Sequence, residues 1–160
     1  MRYLHFIFFL ILPLNSIAES VEFEAEVLRV IDGDSIIVKN DDGKFPIRIK
    51  YIDAPEIQQK HGKESKDFLS NLISGKSIFI SSPYKDRYSR YLSDVYIYDD
   101  ETAIYINAKL IKSGNAWVYK SYRSNQYLMN LENFARSNSK GLWSSKKPTE
   151  PWVFRKINKK

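Results

Sequence analysis

Between Val21 and Ile52 the chain runs through three β-patterned segments joined by turns too tight for a helical crossover. No other feature restricts the possible fold as strongly. In the first segment Val21, Phe23, Ala25 and Val27 share one face and Glu22, Glu24 and Glu26 the other, the alternation of a half-buried strand. Asp32-Gly33-Asp34 is a turn signal, and the β-branched run Ser35-Ile36-Ile37-Val38 resumes the extended chain. Asn40-Asp41-Asp42-Gly43 marks a second turn, and a third strand is expected from Lys44 to Ile52, with Phe45, Ile47, Ile49 and Tyr51 on one side. Strands joined this closely pair antiparallel, so the segment is a meander.

Ala54-Pro55-Glu56 ends the third strand, because the residue before proline avoids helix and proline cannot pair centrally. Beyond a loop through His61-Gly62, the spacing of Phe68, Leu69, Leu72 and Ile73 predicts a helix over about Lys63 to Ser74, stopped by Gly75. Lys76 to Ser81 and Tyr91 to Tyr98 read as a fourth and fifth strand, separated by a charged loop and followed by a turn at Asp99-Asp100-Glu101. Ile104 to Ser113 predicts a short helix capped by Gly114. Tyr127 to Ser139 predicts a third, with Tyr127, Leu128, Leu131, Phe134 and Ala135 on its apolar face. Five strands, mostly first, and three helices imply an α+β domain built on a closed or partly closed barrel. The tail after Ser144 holds the aromatic cluster Trp152-Val153-Phe154 and is expected to wrap the domain, its last lysines loose.

The N-terminus is set apart. One early positive charge, the apolar run Phe6 to Leu12 and the small residues Ser16 and Ala18 describe a secretory leader with a cut after Ala18. Residues 1–18 are therefore read as a signal peptide, 19–145 as the folded domain and 146–160 as a basic tail. The mature protein is expected to be exported, free of the membrane and monomeric, with no stable protein partner. The chain is 160 residues long, enough for one domain with a proper core. Its 25 Lys and Arg against 19 Asp and Glu leave a charge of +6, which favours polyanionic partners such as nucleic acid. It has no cysteine and two histidines, so disulfides, thiolate catalysis and multi-histidine zinc sites are excluded. Any metal must be held mainly by oxygen.

Chemistry-bearing residues gather in three places. Asp32-Gly33-Asp34 and Asp53-Ala54-Pro55-Glu56 lie at the two ends of the meander's last hairpin, with Arg48 between them. Carboxylates converging on one point suit a hard cation, and an arginine with a further carboxylate beside it supplies charge stabilisation and a base for phosphodiester hydrolysis. Arg48 and Asp53 are five residues apart, a spacing that puts them on opposite faces of a regular strand unless a bulge intervenes. The second place is Lys85-Asp86-Arg87-Tyr88-Ser89-Arg90, where Arg90 has the reach for a bidentate phosphate contact and Tyr88 for stacking on a nucleotide. In the third, Tyr119-Lys120-Ser121-Tyr122-Arg123, the tyrosines fit base stacking or core packing equally well.

These motifs resemble the staphylococcal-nuclease (thermonuclease) family, secreted Ca²⁺-dependent nucleases on an OB-fold barrel. The resemblance spans Val27 to Trp143. It rests on Asp32-Gly33-Asp34-Ser35, Arg48-Ile49 and Ile52-Asp53-Ala54-Pro55-Glu56, then on Asp86-Arg87-Tyr88-Ser89-Arg90 with Leu92. Gly62 with Glu64-Ser65, Asn107 with Leu110 and Gly114, and Gly141-Leu142-Trp143 add to it. It implies a five-stranded OB barrel with three helices. It also implies Ca²⁺ held by the carboxylates of Asp34 and Asp53 and the main-chain carbonyl of Ala54. Glu56 would be the general base; Arg48 and Arg90 would bind the scissile phosphate and stabilise the transition state. Arg87 and Tyr88 match positions that contact a nucleotide phosphate, and Tyr119 or Tyr122 a base or phosphate. The implied reaction is 5′ P–O cleavage of DNA and RNA leaving 3′-phosphate ends. The alternative is a catalytically inactive OB-fold nucleic-acid-binding protein. Three positions depart from the family pattern: Ser35 and Ala54 each stand where Thr is usual, and Ser89 where Gly is usual. The loop from Asp53 to the first helix is shorter than in the staphylococcal enzyme.

Overall fold

The alternation that opens the chain becomes the wall of a barrel. The computed structural model describes residues 20–82, 84–99 and 102–158. The expected leader, the residues Asp100 and Glu101 of the predicted turn and the last two lysines lie outside them. Strand β1 (Val21–Val30) pairs antiparallel through its first half with β5 (Ser77–Ser82) and through its second half with β2 (Ser35–Asn40). A register irregularity between Val27 and Arg29 lets one long strand bend to serve both partners. β2 pairs with β3 (Gly43–Ile49), and β5 with β6 (Tyr91–Asp99). The wall closes where β3 runs parallel to β6, Ile47 to Ile49 facing Tyr91 to Ser93. The result is a closed five-stranded mixed barrel, the OB-fold.

Its interior is filled by the inward set of these strands, including the fully buried Ile36, Val38, Ile47, Ile49 and Ile80. Full burial of each such side chain contributes about 1.5–3 kcal/mol. Helix α1 (Gly62–Ile73) closes one end with Leu69 and Ile73. A smaller hydrophobic cluster outside the barrel joins Trp117, Ala135, Leu142 and Trp143, with Trp152 packed against it.

Four expectations need correction. The third strand does not run on to Ile52: it stops at Ile49, and Ile52–Asp53 forms a separate short strand β4. The helix expected from Ile104 begins at Ile106, because Thr102–Tyr105 is drawn into strand β7 on the free edge of β6. That helix, α2, spans Ile106–Lys112, and the two-residue strand β8 (Trp117–Val118) follows it. Helix α3 (Gln126–Ser137) buries Leu128 and Ala135 as expected, but Tyr127 and Phe134 face solvent. Glu132 is 0% exposed instead, its oxygens taken by the Val118 amide at 2.7 Å, by Arg136 at 2.8 and 3.0 Å and by Arg123 at 3.3 Å. A buried carboxylate with donors for both oxygens is tolerated where an unpaired one is not. Finally, the described residues form four α-helices and not three: the tail folds into α4 (Pro151–Ile157), started by proline at its first turn.

Candidate active site

The seam that closes the barrel also assembles the chemistry. Arg48 sits on β3 opposite Ser35 on one side and Leu92 on the other, so the strand pairing places it beside the Asp32–Asp34 turn and two residues from Arg90 in the β6 register. Asp34 is held there by its own turn. Its amide donates to Asp32 Oδ1 at 3.0 Å, and its carbonyl accepts from the Ile49 amide at 2.8 Å. Gly33 matters for packing, since a Cβ on it would collide with Ser65 and with the Cβ of Ala54.

The spacing problem between Arg48 and Asp53 is solved by one residue. Tyr51 has φ 70°, a left-handed conformation, and this breaks the strand's alternation between β3 and β4. Asp53 therefore turns back toward Arg48. The break is held from several sides. The Asn107 side chain, fully buried at the start of α2, donates to the Lys50 carbonyl at 3.0 Å and accepts from the Val95 amide at 3.0 Å. The Tyr119 amide donates to the Tyr51 carbonyl at 2.8 Å, and the Tyr122 ring meets that of Tyr51 edge-on at 4.8 Å. β4 itself pairs with β8, which is pinned by Glu132.

Arg48 Nη2 ends 3.0 Å from both Asp34 Oδ2 and Asp53 Oδ1, while its Nη1 donates to the Ile49 carbonyl at 2.7 Å. Ala54 joins through its amide, which donates to Asp34 Oδ2 at 2.6 Å. Burial pushes the Asp34 carboxyl up to about 8, against the pull of Arg48; Asp32 and Asp53 push the same way. A cation beside these oxygens would favour the charged carboxylate. The donor set is all oxygen, as a hard ion such as Ca²⁺ requires. Among the described residues no three Asp, Glu, His or Cys side chains form a ready cage. The Asp34 and Asp53 carboxylates, drawn together on one Arg48 nitrogen, are the oxygen donors that a hard cation would take.

The second motif is a self-contained loop. The Asp86 carboxylate accepts from the amides of Tyr88 at 2.9 Å and Arg90 at 3.1 Å, and pairs with the Arg90 guanidinium at 2.8 and 2.9 Å. Ser89 has φ 60°, so the turn does use the left-handed region where glycine is at ease. Tyr88 is exposed, with the guanidinium carbons of Arg87 and Arg90 at 4.8 and 5.4 Å from its ring centre. Tyr119 and Tyr122 are half-buried. Tyr122 is pushed up to about 12 by burial and by a hydrogen bond with Tyr84.

One cleft of about 720 Å³ is lined by all ten predicted residues: Asp34, Arg48, Asp53, Ala54, Glu56, Arg87, Tyr88, Arg90, Tyr119 and Tyr122. It also holds a residue that sequence reasoning missed. Arg155 of α4 places Nη2 2.6 Å from Asp53 Oδ2 and Nη1 2.6 Å from Glu56 Oε1. The signal was Glu150-Pro151-Trp152, a helix start that puts Trp152 and Arg155 on one face three residues apart.

The profile of the family described as Staphylococcal nuclease homologue matches residues 46–145. A protein of Escherichia coli O157:H7 described as an uncharacterized endonuclease is 37% identical over 134 residues, 84% of this chain and 86% of its own. The chain belongs to the staphylococcal nuclease homologue family. A Haemophilus influenzae protein, also described as an uncharacterized endonuclease, is 34% identical over 83% of this chain and 73% of its own. Staphylococcal-like nuclease CAN1 of Arabidopsis thaliana is 37% identical over 71% of this chain but only 34% of its own length. The family match begins at Pro46 and so covers Arg48 to Tyr122, while Asp34 and Arg155 lie on either side of it.

Proposed function

We propose that this protein is a Ca²⁺-dependent endonuclease that hydrolyses the phosphodiester bonds of DNA and RNA. The observation that supports it best is the convergence of Asp34, Asp53, Arg48, Glu56 and Arg90 on one cleft in a chain of this family. Asp34, Asp53 and the Ala54 carbonyl would hold Ca²⁺, which when bound supplies positive charge to a phosphate oxygen and acidifies water. The remaining steps fall to side chains. Glu56 accepts the proton of the attacking water at its carboxylate. Arg48 and Arg90 donate to the non-bridging oxygens, whose charge grows as phosphorus becomes five-coordinate. The 5′ P–O bond then breaks, and the departing 5′ oxygen takes a proton from water, leaving a 3′-phosphate and a 5′-hydroxyl. Arg87 contacts a neighbouring phosphate, while Tyr88 and Tyr119 or Tyr122 pack on sugar and base.

Export fits the same reading. The Phe6 to Leu12 run and Ser16-Ile17-Ala18 read as a leader cleaved after Ala18, so that the nuclease acts outside the cytoplasm. Among the described residues no helix is long and apolar enough to cross a membrane.

The test is plasmid and RNA digestion by wild type and Glu56→Gln, with Ca²⁺, with EGTA and with Ca²⁺ restored. Wild type should cut both substrates only with Ca²⁺. Glu56→Gln should bind DNA normally and turn over slower by orders of magnitude. Cleavage in EGTA would remove the cation from the reaction, and near-normal turnover in Glu56→Gln would remove Glu56 as the base. A wild type that binds DNA and never cuts it would be the inactive binding module.

A further inference from the structure

Asp53 has no free side-chain oxygen. Its Oδ1 accepts from Arg48 at 3.0 Å and from Arg155 Nη1 at 3.2 Å, and its Oδ2 accepts from Arg155 Nη2 at 2.6 Å. The same guanidinium reaches Glu56 Oε1 at 2.6 Å and so bridges two carboxylates. The two ends of Arg155 are held very differently. Its backbone is fixed: Pro151 is buried, Trp152 packs edge-on against Trp117 and Tyr119 at 6.0 Å each, and Gln59 Nε2 donates to the Thr149 carbonyl at 2.6 Å. Its side chain, by contrast, is 43% exposed.

We propose that Arg155 is a tethered internal competitor that sets how tightly this site takes its divalent cation. A guanidinium and a divalent cation on one carboxylate repel each other, and both draw on the charge of the Asp53 oxygens. Because α4 anchors Arg155 beside the site, the competitor is present at high effective concentration and always charged. The cation binds by displacing it, and that displacement also frees Glu56. The inference rests on the assignment of Asp53 as a cation ligand.

The experiment measures Ca²⁺ affinity without substrate, by competition against a Ca²⁺ indicator dye, for wild type, Arg155→Gln and Arg155→Lys. Arg155→Gln should bind about tenfold tighter, the scale of one charge-assisted hydrogen bond. Arg155→Lys should fall between, since an ammonium cannot bridge both carboxylates as the planar fork does. Equal or weaker Ca²⁺ binding by Arg155→Gln would overturn the proposal. Should wild type and Arg155→Gln both leave the dye undisturbed at millimolar Ca²⁺, the cation assignment itself falls. A check on unmodified protein is the Arg155 Nε–Hε resonance under Ca²⁺ titration. It should move toward that of a free guanidinium at saturation, and an unchanged resonance in saturated protein would reject displacement.

Discussion

Arg48 and Arg90 reach one cleft from two kinds of structure, and each is held by aspartate. Arg48 projects from a barrel strand into Asp34 and Asp53, buried partners brought in by the turn before β2 and by β4. Arg90 lies on a surface loop and pairs with Asp86, four residues before it. The first arrangement exists only when the barrel is closed and Tyr51 is bent. The second is complete within five residues. Positive charge from the barrel strand is therefore inseparable from stability, whereas charge from the loop is separable.

Removing Arg48 gives the largest expected effect. Arg48→Ala would leave Asp34 with no cationic partner and Asp53 with Arg155 alone, and breaking a buried pair in this way costs about 3–5 kcal/mol. Urea denaturation should register that loss, and turnover should fall by orders of magnitude. A stability change under about 1 kcal/mol, within the range of ordinary surface substitutions, would erase the distinction between wall and loop.

The same distinction explains what could be read from the chain. The barrel strands were legible because period-two burial is a local property, and the ten cleft residues through a family resemblance that compact motifs carry. The meeting of Arg48 with Asp53 was not legible. It depends on a left-handed Tyr51, and that conformation is stabilised by Asn107, Tyr119 and Tyr122, all more than fifty residues away. Glu132 was hidden for a related reason: a charged residue in an amphipathic helix reads as solvent-facing unless its arginine partners and the Val118 amide are already in view. Arg155 escaped notice because α4 has almost no apolar periodicity of its own and is placed by Trp152.

Asp86→Ala probes the loop and should have an intermediate effect. Arg90 keeps its place just before β6 but loses the carboxylate that aims it, so turnover should fall by less than in Arg48→Ala. Stability should change by no more than about 1 kcal/mol, because the pair is only half-buried and its partners are four residues apart. Acid should imitate the substitution. Burial opposes ionisation of Asp86, but the hydrogen bonds from Arg90 and the Tyr88 amide outweigh it and hold the carboxyl below its ordinary 3.8. A depressed folded value means that the loop's contribution is complete above about 3.8 and fades as pH falls through the lower folded value. NMR of the Tyr88 and Arg90 amides should follow that titration in wild type; amides that ignore it would show that Asp86 does not hold the loop.

Ser89→Gly should give the smallest effect and the reverse sign. At φ 60° a serine carries the left-handed penalty of about 1–2 kcal/mol that glycine escapes, part of it offset by the freedom glycine gains when unfolded. The net expectation is a gain of about 0.5–1 kcal/mol in thermal or urea unfolding. Asp86 already fixes the turn through the backbone of Tyr88 and Arg90, so the aim of Arg90 should be unchanged and turnover should stay within about twofold of wild type. A large rise in turnover would mean that Ser89 strain misdirects Arg90 in the natural protein. A loss of stability would mean that the serine side chain makes a contact worth more than its strain. Either result would tie the loop to the rest of the site more tightly than a self-contained turn allows.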